Sequence, residues 1–347
     1  MKAAYLTAIR ELEIRDVPEP KLQRPDDVLL RVETVGVCGS DIHYYRTGRI
    51  GDQVVDFPFI LGHELSGRVV EVGPEAGRVK VGQRVAVDPL APCGKCDQCL
   101  SGRMHTCRNQ KFLGCPGQAP GCLCEYIVMP AASCFPVGEN VTATQAALIE
   151  PLAIGVYAQQ LGGATDGKTI VILGNGPIGL CVLLACKAAG DCKVYATDLI
   201  DERLAVAGML GAHWTGKPTD LDVVAEIAAA EPLGVDLAFE CAGEQETLDQ
   251  GVKMLKPGGK FMMVGIPETD RVSFSPARMR RKELALQNVR RQNECEQLAV
   301  DMVDDGRIVV DSLATHEFSL DQTKAALDLV DAYDDGVVKA MIHVSKS

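Results

Sequence analysis

The sequence predicts an α/β protein of two domains, one β-rich and the other a doubly wound parallel sheet. Three observations lead there. The chain has 347 residues, more than a single hydrophobic core comfortably serves. Up to about Leu148 it is dense in Gly, Pro and Cys and shows short strand-like runs. Beyond that point apolar strand-like runs alternate with helix-like runs, the pattern that right-handed βαβ crossovers weave into a parallel sheet.

The elements follow in order. "DDVLLRVETVGV" alternates Val28, Leu30 and Val32 against Leu29, Arg31 and Glu33, as a half-buried strand would. "SGRVVEVG" and "GQRVAVDP" are short apolar strands closed by Gly or Pro. "ALIEPLAIGVYAQQLGG" reads as a helix after Pro151. "KTIVILGNGPIGLCVLLACKAAG" gives a buried strand, a glycine turn and an apolar helix. "CKVYATD" is the next strand, and "DERLAVAGMLG" the next helix, stopped by glycine. "VDLAFECAG" and "GGKFMMVGIP" continue strand and turn. After about Pro276 a basic patch, "ARMRRKELALQNVRRQNECEQLAV", leads into a helix. "LDQTKAALDLVDAYDDG" is a further helix and "VVKAMIHV" a closing strand, and this last part is expected to fold back onto the first domain.

Composition narrows the function. With 47% hydrophobic and 24% charged residues the chain can bury a full core without disulfides. Its net charge of -12 argues against a nucleic-acid or anionic-membrane surface. No apolar run reaches the roughly 18 residues of a membrane span, and "MKAAYLTAIRELEIR" is too charged for a signal peptide. A cytoplasmic protein is therefore expected. In a reducing compartment the 14 cysteines are read first as metal ligands.

In "VILGNGPIGL" the glycines Gly174, Gly176 and Gly179 form G-x-G-x-x-G between a strand and a helix. The first permits a tight turn, the second lets a pyrophosphate approach the backbone, and the third allows close helix packing. Pro177 and Ile178 begin the helix, whose free N–H groups and dipole favour the phosphates. Asp198 ends the next strand and can accept both hydroxyls of an adenosine ribose while repelling a 2′-phosphate. Arg203 follows on the next helix and joins the expected cofactor set. NAD is thus favoured over NADP; the alternative for Asp198 is a cap for the helix after it.

"CGKCDQCLSGRMHTC" spaces Cys93, Cys96, Cys99 and Cys107 as C-x2-C-x2-C-x7-C. Four thiolates from one loop close a tetrahedron around zinc with no open position, which defines a structural site. An iron–sulfur cluster competes for the same ligands. A second set is mixed: Cys38, His63, Glu64 and the distant Glu150. Fewer than four protein ligands plus water is what a catalytic zinc requires. Each of these residues also has an ordinary reading, as core thiol, turn histidine, surface carboxylate or helix start.

Together these segments resemble the zinc-dependent medium-chain dehydrogenases, and within them the polyol (sorbitol and xylitol) dehydrogenases. The carriers are "GVCGSDIHYYRTGRIG", "LGHELSGRVVEVG", the four-cysteine lobe, "ALIEPLAIGVYA", "VILGNGPIGL" and "TDLIDERL". The resemblance implies a Rossmann domain inserted in a GroES-like β-rich catalytic domain, with segments 1–149, 150–288 and 289–347. It implies that Cys38 and His63 ligate the catalytic zinc, that Glu64 ligates or adjoins it, and that Glu150 competes for the same place. Ser40 and His43 match the pair that leads the substrate proton to solvent, and Tyr44 a substrate-pocket tyrosine. Arg290 matches a substrate-contacting arginine, whereas Arg291 stands where animal enzymes have tyrosine. Animal sorbitol dehydrogenases also lack the four-cysteine lobe, so the likeness is to microbial types. His105, His213 and Cys115 are read as structural.

The resulting expectation is an NAD-dependent zinc polyol dehydrogenase that oxidises a secondary alcohol to a ketone, as a homotetramer or homodimer. Its rivals are a threonine 3-dehydrogenase or other zinc secondary-alcohol enzyme and, from another class, a catalytically silent nucleotide-binding protein.

Overall fold

The computed structural model describes residues 1–345. They form two compact units, one made of Met1–Glu150 with the segment from Glu296 onward, the other of Pro151–Cys295. Glu150 and residues 289–295 thus fall on other sides of the divide than the expected boundaries put them. Local bonds hold the second stretch in its unit: Val289 N–H donates to Met263 C=O at 2.8 Å, and the Cys295 thiol lies 3.4 Å from Gln160 Oε1.

The first unit is built on a seven-stranded sheet. Its order runs Cys134–Pro136, Arg84–Val87, Glu64–Val72, Asp27–Gly36, Lys339–His343, Ala314–Ser319, and Tyr126–Pro130 also pairs with Asp27–Gly36. The strand Lys339–His343 lies antiparallel beside Asp27–Gly36, with Met341 opposite Gly36 and His343 opposite Thr34. Asp27–Gly36 was expected to be half-buried, yet nearly every residue in it is buried. Glu33 explains how: its carboxylate accepts from Arg68 Nε at 3.0 Å on the adjacent strand and from Arg84 Nε at 2.6 Å on the strand beyond it, so its charge is hidden by partners rather than by water. Both faces of the strand can then pack.

The second unit carries a six-stranded parallel sheet in the order Trp214–Gly216, Lys193–Thr197, Thr169–Leu173, Val235–Glu240, Leu255–Met263, Ala285–Asn288. The order doubles back between Thr169–Leu173 and Val235–Glu240, and such a switch point opens a crevice at the carboxyl ends of the strands. The edge strand Ala285–Asn288 lies inside the basic patch and was not expected. All four of its residues are exposed, so no apolar alternation marks it. The helix predicted after Pro151 in fact starts at Ala143 and runs to Gly162 with Pro151 inside it.

Among the described residues no helix is long and apolar enough to cross a membrane.

Candidate functional site

One atom each from Cys38, His63 and Glu64 lies within 4.8 Å of the others, in the first unit. Local chemistry puts them there. Cys38 ends the loop before the helix Gly39–Thr47, and Asp41 in that helix turns its buried carboxylate back. Asp41 accepts the N–H of Cys38 and that of Gly62, each at 3.0 Å, tying together the two loops that carry Cys38 and His63. His63 also packs its ring against Phe112, with centroids 5.5 Å apart.

Glu64 begins the strand Glu64–Val72 and is wholly buried. Both of its carboxylate oxygens meet Lys339 Nζ, at 2.7 and 2.6 Å, and the same ammonium donates to Val37 C=O at 3.1 Å. Lys339 is itself buried. A side chain at Gly36 would run into Glu64 Oε2, so glycine is needed there for space. Glu150, also buried, is outside the three-residue cluster. Burial pushes its carboxyl up to about 8; His63 and Lys339 oppose this, and Glu64 and Asp88 add to it.

A metal ion fits these residues. Glu150 Oε2 is buried with no hydrogen-bond partner among the described residues, and His63 Nδ1 is buried with the Asp41 carboxylate 3.7 Å away, beyond hydrogen-bond distance. Buried polar atoms left in that state are costly, and a cation satisfies imidazole nitrogen and carboxylate oxygen alike. The donor set of one thiol, one imidazole and carboxylates suits zinc with an open position.

Ser40 and His43 lie three residues apart on Gly39–Thr47, and hence on one face of that helix. Burial, aided by Arg46, holds His43 below the ordinary imidazole range. Tyr44 is buried and its phenol donates to Gln53 Oε1 at 3.2 Å. Gln53 Nε2 in turn donates to Cys115 Sγ at 3.0 Å, and Cys115 packs with Leu90 and Phe112. Arg290 is exposed and Arg291 partly buried with a left-handed backbone, φ 52°. Both belong to the second unit.

The four-cysteine lobe is complete in itself. All four sulfurs lie within 4.8 Å of one another, with Cys96 Sγ at 3.6 Å from Cys99 and 3.8 Å from Cys107. A zinc–sulfur distance of about 2.3 Å gives a tetrahedron with edges of about 3.8 Å, so zinc fits. Backbone N–H groups, of Cys99 first and then Arg108, hold the Cys96 thiol down to about 6, favouring the thiolate. A two-pronged Arg108–Asp97 contact, at 2.6 and 2.9 Å, clips the loop.

In the second unit the glycine turn is shaped as its residues dictate. Gly174 has φ 86°, and a Cβ there would lie 2.9 Å from Ala242; a Cβ at Gly179 would overlap Gly174 C=O. Pro177 and Ile178 open the helix Pro177–Ala189, with Gly176 as its N-cap. Asp198 is buried, accepts Asn175 N–H at 2.6 Å and Ile200 N–H at 3.0 Å, and so braces both the glycine turn and the approach to the next helix. A Cβ at Gly176 would lie 3.5 Å from Arg203 Nη1, which puts that guanidinium beside the turn.

Sequence reasoning missed Asp41, Gln53, Phe112 and Lys339. Asp41 stands three residues after Cys38, a spacing typical of a carboxylate folding back on a helix start, and could have been found. Lys339 carries no local signal, because its partner lies 275 residues away.

With this geometry in view, comparison with known proteins is decisive at the level of class. Residues 24–139 match the alcohol dehydrogenase GroES-like domain and residues 177–305 the zinc-binding dehydrogenase family. The chain belongs to the zinc-dependent medium-chain alcohol dehydrogenases, with a GroES-like unit and a Rossmann unit. It is thus an oxidoreductase that works with zinc and a nicotinamide dinucleotide. Over 347 residues it is 34% identical to the sorbitol dehydrogenase of Bacillus subtilis (strain 168), covering 100% of this chain and 98% of that one. It is 35% identical to the L-idonate 5-dehydrogenase of Vitis vinifera, covering 92% of this chain and 88% of that one. The structure of a zinc-binding dehydrogenase from Sinorhizobium meliloti 1021, bound to NADP, superposes with a TM-score of 0.90 at 31% identity and 99% coverage of both chains.

Proposed function

We propose that this enzyme oxidises a polyol at a secondary hydroxyl, giving the ketone, with NAD as the hydride acceptor. The observation that carries the reading is the donor set at Cys38. One thiol and one imidazole are joined there by carboxylate oxygen, and Glu150 adds a second buried carboxyl in the same unit. An oxygen-rich set makes a harder, more hydrated zinc site than a thiolate-rich one, suited to a ligand with adjacent hydroxyls. The likeness to a sorbitol dehydrogenase supports the same substrate class.

Cys38, His63 and either Glu64 or Glu150 would hold the catalytic ion, and Cys93, Cys96, Cys99 and Cys107 a structural one. Zinc, when bound, supplies a Lewis acid that lowers the pKa of the substrate hydroxyl. The nicotinamide supplies the acceptor for the carbinol hydride. The chain's own residues do the rest. The Ser40 hydroxyl would accept the substrate proton as it gives up its own toward His43, and the lowered pKa of His43 keeps that imidazole in the proton-accepting form from which the proton passes to solvent. Tyr44 hydrogen-bonds a neighbouring hydroxyl, Arg290 donates to others in a fork, and Arg291 selects among stereoisomers. Gly174, Gly176, Pro177, Ile178, Gly179 and Arg203 bind the dinucleotide, and the Asp198 carboxylate disfavours a 2′-phosphate.

In this reading the first unit is the catalytic domain and the second the nucleotide domain. The exposed edge strand Ala285–Asn288 is consistent with a homodimer or homotetramer, and the cell compartment is the cytoplasm.

Turnover of sorbitol, xylitol, other polyols, threonine and 2-butanol with NAD and with NADP tests the reading. A site built to pair hydroxyls rejects analogues that lack them. The best polyol should therefore exceed 2-butanol by at least about a hundredfold in kcat/KM. Arg290→Ala should reduce polyol turnover far more than 2-butanol turnover. Equal rates on both, a preference for threonine, or no turnover with either cofactor would each overturn the assignment.

A further inference from the structure

Glu240 is the last residue of the strand Val235–Glu240, on the lip of the crevice where the sheet order reverses. It pairs with Leu173 on one side and Met263 on the other, the last residues of the two flanking strands. Glu240 is fully buried, at 0% exposure, which is unusual for a carboxylate. Its Oε1 accepts the N–H of Ala242 at 2.8 Å and of Gly243 at 2.7 Å, and the Thr247 hydroxyl lies 2.8 Å from the same oxygen. Its backbone C=O accepts the N–H of Val264 at 2.8 Å and of Gly265 at 2.9 Å.

These bonds join three turns with almost no free space between them. A Cβ at Gly174, in the glycine turn, would lie 2.9 Å from Ala242. One at Gly243, where φ is 80°, would lie 2.6 Å from Ile266 C=O. One at Gly265 would lie 2.9 Å from Glu240 Oε2 and collide with Gly243 N. The three turns that follow Thr169–Leu173, Val235–Glu240 and Leu255–Met263 are therefore packed as one block, with the Glu240 side chain as its buried polar pin. A dinucleotide in such a sheet places its pyrophosphate at the glycine turn and its two halves on opposite sides of the switch point. Asp198 marks the adenosine side. The turn 241–244 follows Val235–Glu240, across the switch point from the strand that ends near Asp198, and packs against the glycine turn through Ala242; by the switch-point rule that is the side assigned to the nicotinamide half.

We propose that Glu240 is a positioning residue for the cofactor: by fixing the turn 241–244 against the glycine turn, it sets the floor for the nicotinamide half of the dinucleotide. The proposal rests on the nucleotide-site reading above. Its signature is a loss confined to one half of the ligand. Without the carboxylate the N–H groups of Ala242 and Gly243 lose their shared acceptor and the turn shifts, while the Asp198 side keeps its own bonds.

The test is equilibrium binding of NADH and of ADP to zinc-loaded wild type, Glu240→Gln, Glu240→Asp and Glu240→Ala. The kcat and KM for NAD are measured on the same preparations. Loss of one or two hydrogen bonds should weaken NADH about tenfold in Glu240→Ala, with ADP affinity within about twofold of wild type. KM for NAD should rise more than kcat falls. Glu240→Gln keeps an acceptor at Oε1 and should restore NADH affinity to within about threefold of wild type. Glu240→Asp, too short to reach both amides, should fall between; it carries the same NADH-against-ADP comparison if the alanine variant does not fold. Unchanged NADH affinity in the alanine or aspartate variant, equal losses of NADH and ADP, or no rescue by glutamine would overturn the proposal. Failure of wild type to bind NADH would instead overturn the nucleotide-site reading itself.

Discussion

In the lobe at residues 93–107 four thiols gather from one short loop, three of them partly exposed, and the loop's own backbone amides hold the Cys96 thiol down. The group around Cys38 is assembled from distant pieces. Cys38 precedes a helix, His63 and Glu64 stand at the head of a strand, and the ammonium that holds Glu64 comes from residue 339. Every partner there except Cys38 is buried. The contrast teaches how a closed site and an open one are made. A closed site needs only ligands at the right spacing. An open one must hold fewer ligands rigidly without letting them collapse on one another, and that stiffness comes from the surrounding fold.

If the contrast holds, damage should have different consequences in the two regions. The largest effect is expected at Cys38. Loss of outer partners alone typically costs 10–100-fold, so Cys38→Ser, which removes a ligand, should lower kcat/KM by more than about a hundredfold. Its melting temperature should stay close to wild type, and metal analysis should fall from two zinc ions per chain to one. A single zinc in fully active wild type would remove the basis of the comparison.

Next comes Lys339→Met. It strands the Glu64 carboxylate in a buried place, and breaking such a pair by removing one partner costs about 3–5 kcal/mol. Urea unfolding should show that loss, and chelator competition should show weaker metal retention at the Cys38 group only. Stability within error of wild type would mean that Glu64 finds another partner.

Cys96→Ser should act in the opposite sense to Cys38→Ser. It should depress the melting temperature by roughly 5–10 °C, equivalent to a few kcal/mol in a chain of this size, and speed zinc release from the lobe. The folded fraction should keep near-normal kcat. A kcat loss matching that of Cys38→Ser would erase the distinction between the two regions.

The smallest effect is in pH dependence. Burial and Arg46 lower the His43 pKa below its ordinary 6.5. Between the folded value and 6.5 the unfolded chain binds more protons, so the His43 contribution to stability falls as pH drops through that window. The proton-accepting form also persists below 6.5. The acid limb of kcat/KM should accordingly lie below pH 6.5, and His43→Asn should remove it. A limb above 6.5 that survives the substitution would assign the titration to another group.

The same contrast explains what could be read from the sequence. The cysteine spacing and the glycine turn are local patterns whose chemistry depends on neighbours a few residues away; in the structure the four sulfurs meet and the glycine turn joins strand to helix. The Cys38, His63 and Glu64 group was legible as a candidate zinc set from its residue types, but each member also had an ordinary reading, and likeness to a family was needed to favour the metal. Lys339 was not visible at all, since a lysine in "VVKAMIHV" looks like any strand residue until the strand finds its place beside Asp27–Gly36. Burial misled in both directions. Glu33 looked solvent-facing but is hidden by Arg68 and Arg84, while Ala285–Asn288 is a strand with no buried residue to announce it.

The placement of Lys339 also bears on the order of events during synthesis. Cys38, His63 and Glu64 leave the ribosome long before residue 339 does, and until then Glu64 has no ammonium and Asp27–Gly36 lacks the neighbour that covers that edge. A nascent chain of 338 residues therefore carries every proposed zinc ligand but an unfinished support for them. Arrival of the strand Lys339–His343 joins Asp27–Gly36 to Ala314–Ser319 and gives the buried carboxylate its ammonium in one step. A chain that stopped before residue 339 would leave Asp27–Gly36 without that neighbour and the buried Glu64 without its cation.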